Sequence, residues 1–153
     1  MIAVIAVETA AVTPLLNKTS VLRKEESGNT ALFLVELRGE EFLIVTAGCG
    51  KANLGAAIAF AMEKFAIDTL IAIGDCCCVR RDAHFDIAIS SFGVQYDVDF
   101  TPLGCTPPQI PGVKGTSYLS DTALCTLARK SAQKLKYPAF SAAFATADRS
   151  VTD

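Results

Sequence analysis

Phe42–Asp75 reads FLIVTAGCGKANLGAAIAFAMEKFAIDTLIAIGD, and this stretch decides the fold. Phe42–Thr46 is a short apolar run rich in β-branched residues, which predicts a buried strand. Gly48 and Gly50 flank Cys49, and two glycines this close mark a tight turn or a backbone that must approach something. Asn53 is a good N-cap, and Leu54, Ala57, Ile58, Ala61, Met62 and Phe65 then fall on one helical face. Asp68 and Thr69 end the helix, and Leu70–Ile73 predicts a second buried strand, closed by Gly74-Asp75. A strand–helix–strand of this length forms a right-handed crossover between parallel strands. The loops at Gly48–Lys51 and Gly74–Cys78 then leave the carboxyl ends of two parallel strands, where open α/β sheets bind ligands.

The rest of the chain fits an α/β domain with a mixed, largely buried central sheet in three layers. Its 153 residues suffice for one real core and fall short of two typical domains, so residues 1–153 are read as a single domain. Half the residues are hydrophobic and a fifth charged, which excludes a disordered chain. The net charge of −2 argues against nucleic acid or an anionic membrane as partner. Met1–Val7 is apolar but short and lacks a basic region, and no apolar run is long enough to span a bilayer, so the expected location is cytoplasmic.

Upstream of this stretch, Ile2–Val7 predicts an opening strand that ends at Glu8, and Thr9–Leu16 a short helix with Pro14 in its first turns. Asn17–Asn29 is polar and reads as a surface connection. Thr30–Leu37 and Glu41–Thr46 predict a hairpin around a three-residue loop, Arg38-Gly39-Glu40. Downstream, Phe85–Ser90 and Val94–Phe100 read as two strands around Phe92-Gly93. Thr101–Thr116, with four prolines and three glycines, is a long loop of the kind that serves a site or an interface. Ser117 or Ser120 can cap a helix that Pro138 ends, and Ala139–Ala145 predicts another buried strand. Such a strand needs covering, yet only Thr146–Asp153 follows, so the expectation is a fold cut short.

Few residues advertise chemistry on their own. The six cysteines, with no secretory signal, are expected as thiols. The run Cys76-Cys77-Cys78 invites a metal reading, but adjacent side chains point in different directions and His84 is the sole histidine. Small buried residues lining a turn describe the run better, and neither metal nor cofactor is expected. Gly48-Cys49-Gly50-Lys51 is neither a dinucleotide fingerprint nor a P-loop, although its amides can meet an anion or a sugar hydroxyl. Glu8 reads as a site carboxylate or as an acid suited to a helix N-terminus, and Asp75 equally as a site residue or a turn former. Arg80-Arg81-Asp82 reads as a solvated turn, and His84 as a surface residue.

Taken together, five short motifs in order carry a resemblance. They are Ile-Ala-Val-Glu with Val-Thr-Pro-Leu-Leu at 5–16, Ala-Gly-Cys-Gly-Lys at 47–51, Ile-Gly-Asp-Cys-Cys at 73–77, Phe-Asp-Ile-Ala-Ile-Ser at 85–90, and Tyr-Asp-Val-Asp-Phe-Thr-Pro-Leu-Gly at 96–104. The chain resembles the methylthioadenosine/S-adenosylhomocysteine nucleosidases of the purine nucleoside and uridine phosphorylase superfamily, over what looks like their first two thirds. The resemblance implies cleavage of an N-glycosidic bond through a ribosyl cation-like transition state. A carboxylate would activate water, and a later aspartate would protonate the departing purine. It places Cys49, with Gly50, near the 5′ substituent of the sugar, Asp75, Cys76 and Cys77 beside base and ribose, and Ser150 and Val151 around the purine. It also implies a small-molecule nucleoside as partner and a homo-oligomer, a dimer by expectation.

This chain departs from the pattern at several points. The family's water-activating glutamate falls on Ala11, leaving Glu8 one turn earlier as the nearby carboxylate. Asp75-Cys76-Cys77-Cys78 replaces a Ser-Ala-Gly-Gly turn, and Ser150 replaces a stacking aromatic worth about 1–3 kcal/mol. The ribose-holding Met-Glu segment and the base-protonating aspartate would lie past Asp153. Three readings therefore stand: a nucleosidase, a non-catalytic nucleoside-binding or oligomer-forming relative, and a cysteine-based redox or metal protein.

Overall fold

The structure, a computed structural model, describes residues 1–79 and 86–149. The chain divides into two compact units, Met1–Asp75 and Cys76–Asp153. Among the described residues no helix is long and apolar enough to cross a membrane.

The first unit is built on five strands: β1 (Ile2–Ala6), β2 (Ser20–Ser27), β3 (Thr30–Leu37), β4 (Glu40–Thr46) and β5 (Thr69–Ile73). Their order across the sheet is β2-β3-β4-β1-β5, with β1 parallel to both β4 and β5 and the β2-β3-β4 run antiparallel. The sheet is therefore mixed, as expected. Alternation along the strands fills both of its faces. Ala3, Ile5, Leu32, Leu43 and Val45 pack with Ala57 and Ala61 of helix α2 (Lys51–Lys64). Ala6, Val35 and Ile44 pack with Val12 of helix α1 (Thr9–Leu16), joined by Ala11, Leu15 and Leu16. One helix per face makes the three layers.

The second unit holds β6 (Ile87–Gln95), β7 (Tyr118–Leu119), helix α3 (Thr122–Lys134) and β8 (Ala139–Thr146), with a single 3₁₀ turn at Thr101–Leu103. Its sheet runs β7-β6-β8, antiparallel at β6–β7 and parallel at β6–β8.

Four expectations need correction. Residues expected as a polar connection form β2, because an edge strand tolerates charge on both sides; Arg23 and Glu25, and Lys24 and Glu26, pair along it. The hairpin loop has two residues, since Leu37 pairs with Glu40 and both Arg38 (φ 57°) and Gly39 (φ 83°) take the left-handed conformation of a tight hairpin turn. The segment read as two strands around Phe92-Gly93 is one strand, β6, with a register shift between Ser90 and Phe92 that absorbs Ser91; Tyr96–Phe100 lies outside it. Finally, β5 and β8 were expected buried, but Leu70, Ile71, Ile73 and Phe140 are exposed, because both strands lie at sheet edges.

Helix ends also differ. Gly50, not Asn53, occupies the N-cap of α2, and Asp121 caps α3 by accepting from the Leu124 amide at 2.8 Å. The α3 helix stops at Lys134, ahead of Pro138, and the chain turns through Lys136 at φ 62°.

Candidate functional site

Register places the site. Ala6 at the end of β1 lies opposite Thr46 at the end of β4 and Ile73 at the end of β5, and all three strands run the same way. The segments that follow, Val7-Glu8, Ala47–Gly50 and Gly74-Asp75, therefore leave one rim of the sheet, with Glu8 between the other two. This is the carboxyl-end geometry at which open α/β sheets receive ligands.

The β4–α2 loop is tied to the end of β1 by its backbone. The Ala47 amide donates to the Ala6 carbonyl at 3.0 Å and the Gly48 amide to the Val7 carbonyl at 2.8 Å. Gly48 (φ 77°) and Gly50 (φ 100°) both need conformations that side chains oppose, and a Cβ on Gly48 would meet the Asn29 Cβ at 3.1 Å. The two glycines thus serve the turn and a close approach at once. Between them the exposed Cys49 thiol faces the Glu8 carboxylate, Sγ to Oε1 at 4.0 Å.

Glu8 sits at the N-cap position of α1, yet its side chain makes no capping hydrogen bond. The carboxylate is turned toward Cys49 instead of the helix amides. Ala11, where the resemblance sets the family's glutamate, packs against the cluster of Ala6, Val12, Val35 and Ile44. Position 11 is thus engaged in the core, and Glu8 is the carboxylate that α1 brings to the rim.

Of the residues singled out from sequence, the structure brings Glu8, Cys49 and Gly50 together and puts Asp75 on the same rim. Cys76, Cys77 and Cys78 are exposed, which overturns their reading as small buried residues: they follow β5 at its exposed end and open the second unit. Ser150, Val151, His84 and Arg80-Arg81-Asp82 lie outside the described residues. Among the described residues no group of three or more His, Cys, Asp or Glu is placed to hold a metal ion.

Sequence reasoning took Asn53 for an N-cap and missed its bond: Nδ2 donates to the Cys49 carbonyl at 2.6 Å. With the cap at Gly50, three residues earlier, its amide side chain reaches back over the first helical turn. A groove of about 180 Å³ between α2 and β5, lined by Ile58, Met62, Ile67 and Leu70 among others, includes no candidate site residue. It is also below the ~300 Å³ at which small-molecule sites begin.

Comparison with known proteins fits this geometry. A family model described as the phosphorylase superfamily matches residues 2–153. The 5′-methylthioadenosine/S-adenosylhomocysteine nucleosidase of Hydrogenovibrio crunogenus is 28% identical over 136 residues, covering 88% of this chain and 58% of that protein. The aminodeoxyfutalosine nucleosidase of Campylobacter jejuni is 24% identical over 153 residues, covering 99% of this chain and 66% of that protein. The chain thus spans 58% of the length of the Hydrogenovibrio relative and the same share of a Geobacillus one. Among solved structures, the Campylobacter jejuni 5′-methylthioadenosine/S-adenosylhomocysteine nucleosidase superposes with a TM-score of 0.91 at 24% identity, over 99% of this chain and 66% of that one. The Neisseria meningitidis nucleosidase in complex with methylthio-immucillin-A gives 0.88 at 24% identity, over 97% of this chain and 64% of that one. Those two likenesses concern the fold; the family match, running through both units, settles the lineage: the chain belongs to the phosphorylase superfamily.

Proposed function

We propose that this chain carries the nucleoside-binding rim of a nucleosidase that cleaves the N-glycosidic bond of methylthioadenosine/S-adenosylhomocysteine-type nucleosides. One observation carries the reading: three parallel strands end in register at Ala6, Thr46 and Ile73, and Glu8, Cys49 and Asp75 follow them. The nucleosidases among the relatives support the substrate class.

In this reading Cys49 and Gly50 border the 5′ substituent, and Asp75, Cys76 and Cys77 border ribose and base. The resemblance sets Ser150 and Val151, outside the described residues, around the purine. Residues 1–153 are taken as belonging to one domain, in a cytoplasmic, dimeric protein. Glu8 accepts a proton from the attacking water as oxygen bonds to the anomeric carbon. The glycosidic electron pair leaves with the purine, which takes up a proton from solvent on nitrogen, and Glu8 returns its proton to solvent. A positioned general base is worth about 10²–10⁴-fold, and Glu8 is free for that role because it caps no helix amide.

The test is adenine release from 5′-methylthioadenosine, followed by absorbance, with Glu8→Gln alongside. Release that falls by about 10²–10⁴-fold in Glu8→Gln supports the reading; release unaffected by the substitution removes Glu8 from it. A second reading, a non-catalytic relative that binds nucleoside, is favoured by the packing of Ala11 against the core. Calorimetric binding without adenine release selects that one. Neither binding nor release defeats both.

A further inference from the structure

The β4–α2 loop is fastened to β1 through backbone, and a side chain of α2 also grips it. Asn53 Nδ2 donates to the Cys49 carbonyl at 2.6 Å. The helix itself does not require this bond: the Leu54 amide reaches the Gly50 carbonyl at 3.0 Å and closes the first turn unaided. Asparagine is also a poorer helix former than alanine. An N-cap side chain accepts from helix amides, whereas Asn53 donates outward to a residue beyond the helix. Its anchor is firm, because Ala57 and Ala61 on the same helix are buried against the sheet. The peptide it grips lies between two glycines with positive φ, where the backbone has most freedom to lose.

We propose that Asn53 is a positioning residue: it fixes the Cys49 peptide, keeps the thiol facing Glu8, and thereby sets the fit of the nucleoside's 5′ substituent. The last step rests on the nucleoside reading above; the first two do not. Losing one such bond loosens the loop by about two- to ten-fold.

Two variants test it. Asn53→Ala removes the donor at a position where alanine favours helix. Asn53→Asp keeps the shape, suits a helix N-terminus and replaces the donor by an acceptor. Hydrogen exchange at the Gly48 amide is expected to quicken by about two- to ten-fold in both, with Val35 in β3 unchanged. The Kd for 5′-methylthioadenosine is expected to rise by a similar factor while that for free adenine holds. Unchanged Gly48 exchange overturns the proposal, as does an equal loss for nucleoside and adenine, or loss of helix by circular dichroism in both variants. A parent chain that binds neither compound defeats the nucleoside reading, and the exchange data still decide the role of Asn53.

Discussion

The two units are similar in length and differ in what they bury. In Met1–Asp75 the sheet has a helix on each face, and Ile5, Leu32, Val35, Leu43, Ile44 and Val45 are almost wholly shielded from water. Among the described residues of the second unit, Ala132 alone is buried, while Ile87, Tyr118, Leu127, Leu135 and Phe140 are exposed. Apolar composition is shared by both; close packing belongs to the first. The rim at Glu8 and Cys49 therefore rests on the better-packed unit, which suits a site whose groups must be held in place.

The contrast is broken most directly by deleting core volume. Ile44→Ala is expected to cost about 2–5 kcal/mol in urea unfolding, since it leaves a cavity between β4 and α1. Phe140→Ala, at a residue 43% exposed, is expected to cost less. Equal losses would erase the distinction between the units.

Next in size is Gly48→Ala. The added Cβ meets Asn29 at 3.1 Å and the backbone sits at φ 77°, so a loss of about 1–3 kcal/mol is expected by thermal or urea melts. Asp121→Ala, which removes the α3 cap, is expected to cost ~1 kcal/mol and to act on the second unit.

The smallest effect concerns acid. The amino terminus, bonded to the Asp68 carboxylate at 2.6 Å, holds that carboxyl below its ordinary range. Lys64, 2.8 Å from Glu25 and joining α2 to β2, does the same for Glu25. A carboxyl whose folded value is lowered stabilises the fold above its unfolded value, about 4, and that share is lost as the pH falls through the folded value. Urea midpoints of Asp68→Asn and Glu25→Gln should thus approach that of the parent chain as the pH drops from 6 to 3. A gap that stays constant would contradict the linkage.

How much was legible follows burial. Strand–loop–helix was readable from Phe42 into α2 because apolar pattern and burial coincide in β4 and at Ala57 and Ala61, and the alternation of Ile5 against Ala6 or Leu43 against Ile44 is what two covered faces require. Other elements were misread. The charged β2 looked like a loop because its side chains need only water and one another. The hairpin at Arg38-Gly39 was expected one residue too long because an arginine at φ 57° has no sequence signature. Gly93 looked like a break, yet it lies within β6, opposite Tyr118 and Phe144. At the site, Glu8 and Cys49 were visible as strand-end residues, but the bond from Asn53 was not, because side-chain direction within a helix's first turn depends on where the cap falls.

The central claim is that nucleoside binds where β1, β4 and β5 end. Backbone amide shifts of the ¹⁵N-labelled chain titrated with 5′-methylthioadenosine test it most directly. The account predicts that the largest shifts within Met1–Asp75 gather at residues 7–8, 47–50 and 74–75. Shifts confined to the α2–β5 groove around Met62 and Leu70, or none at saturating nucleoside, would contradict it.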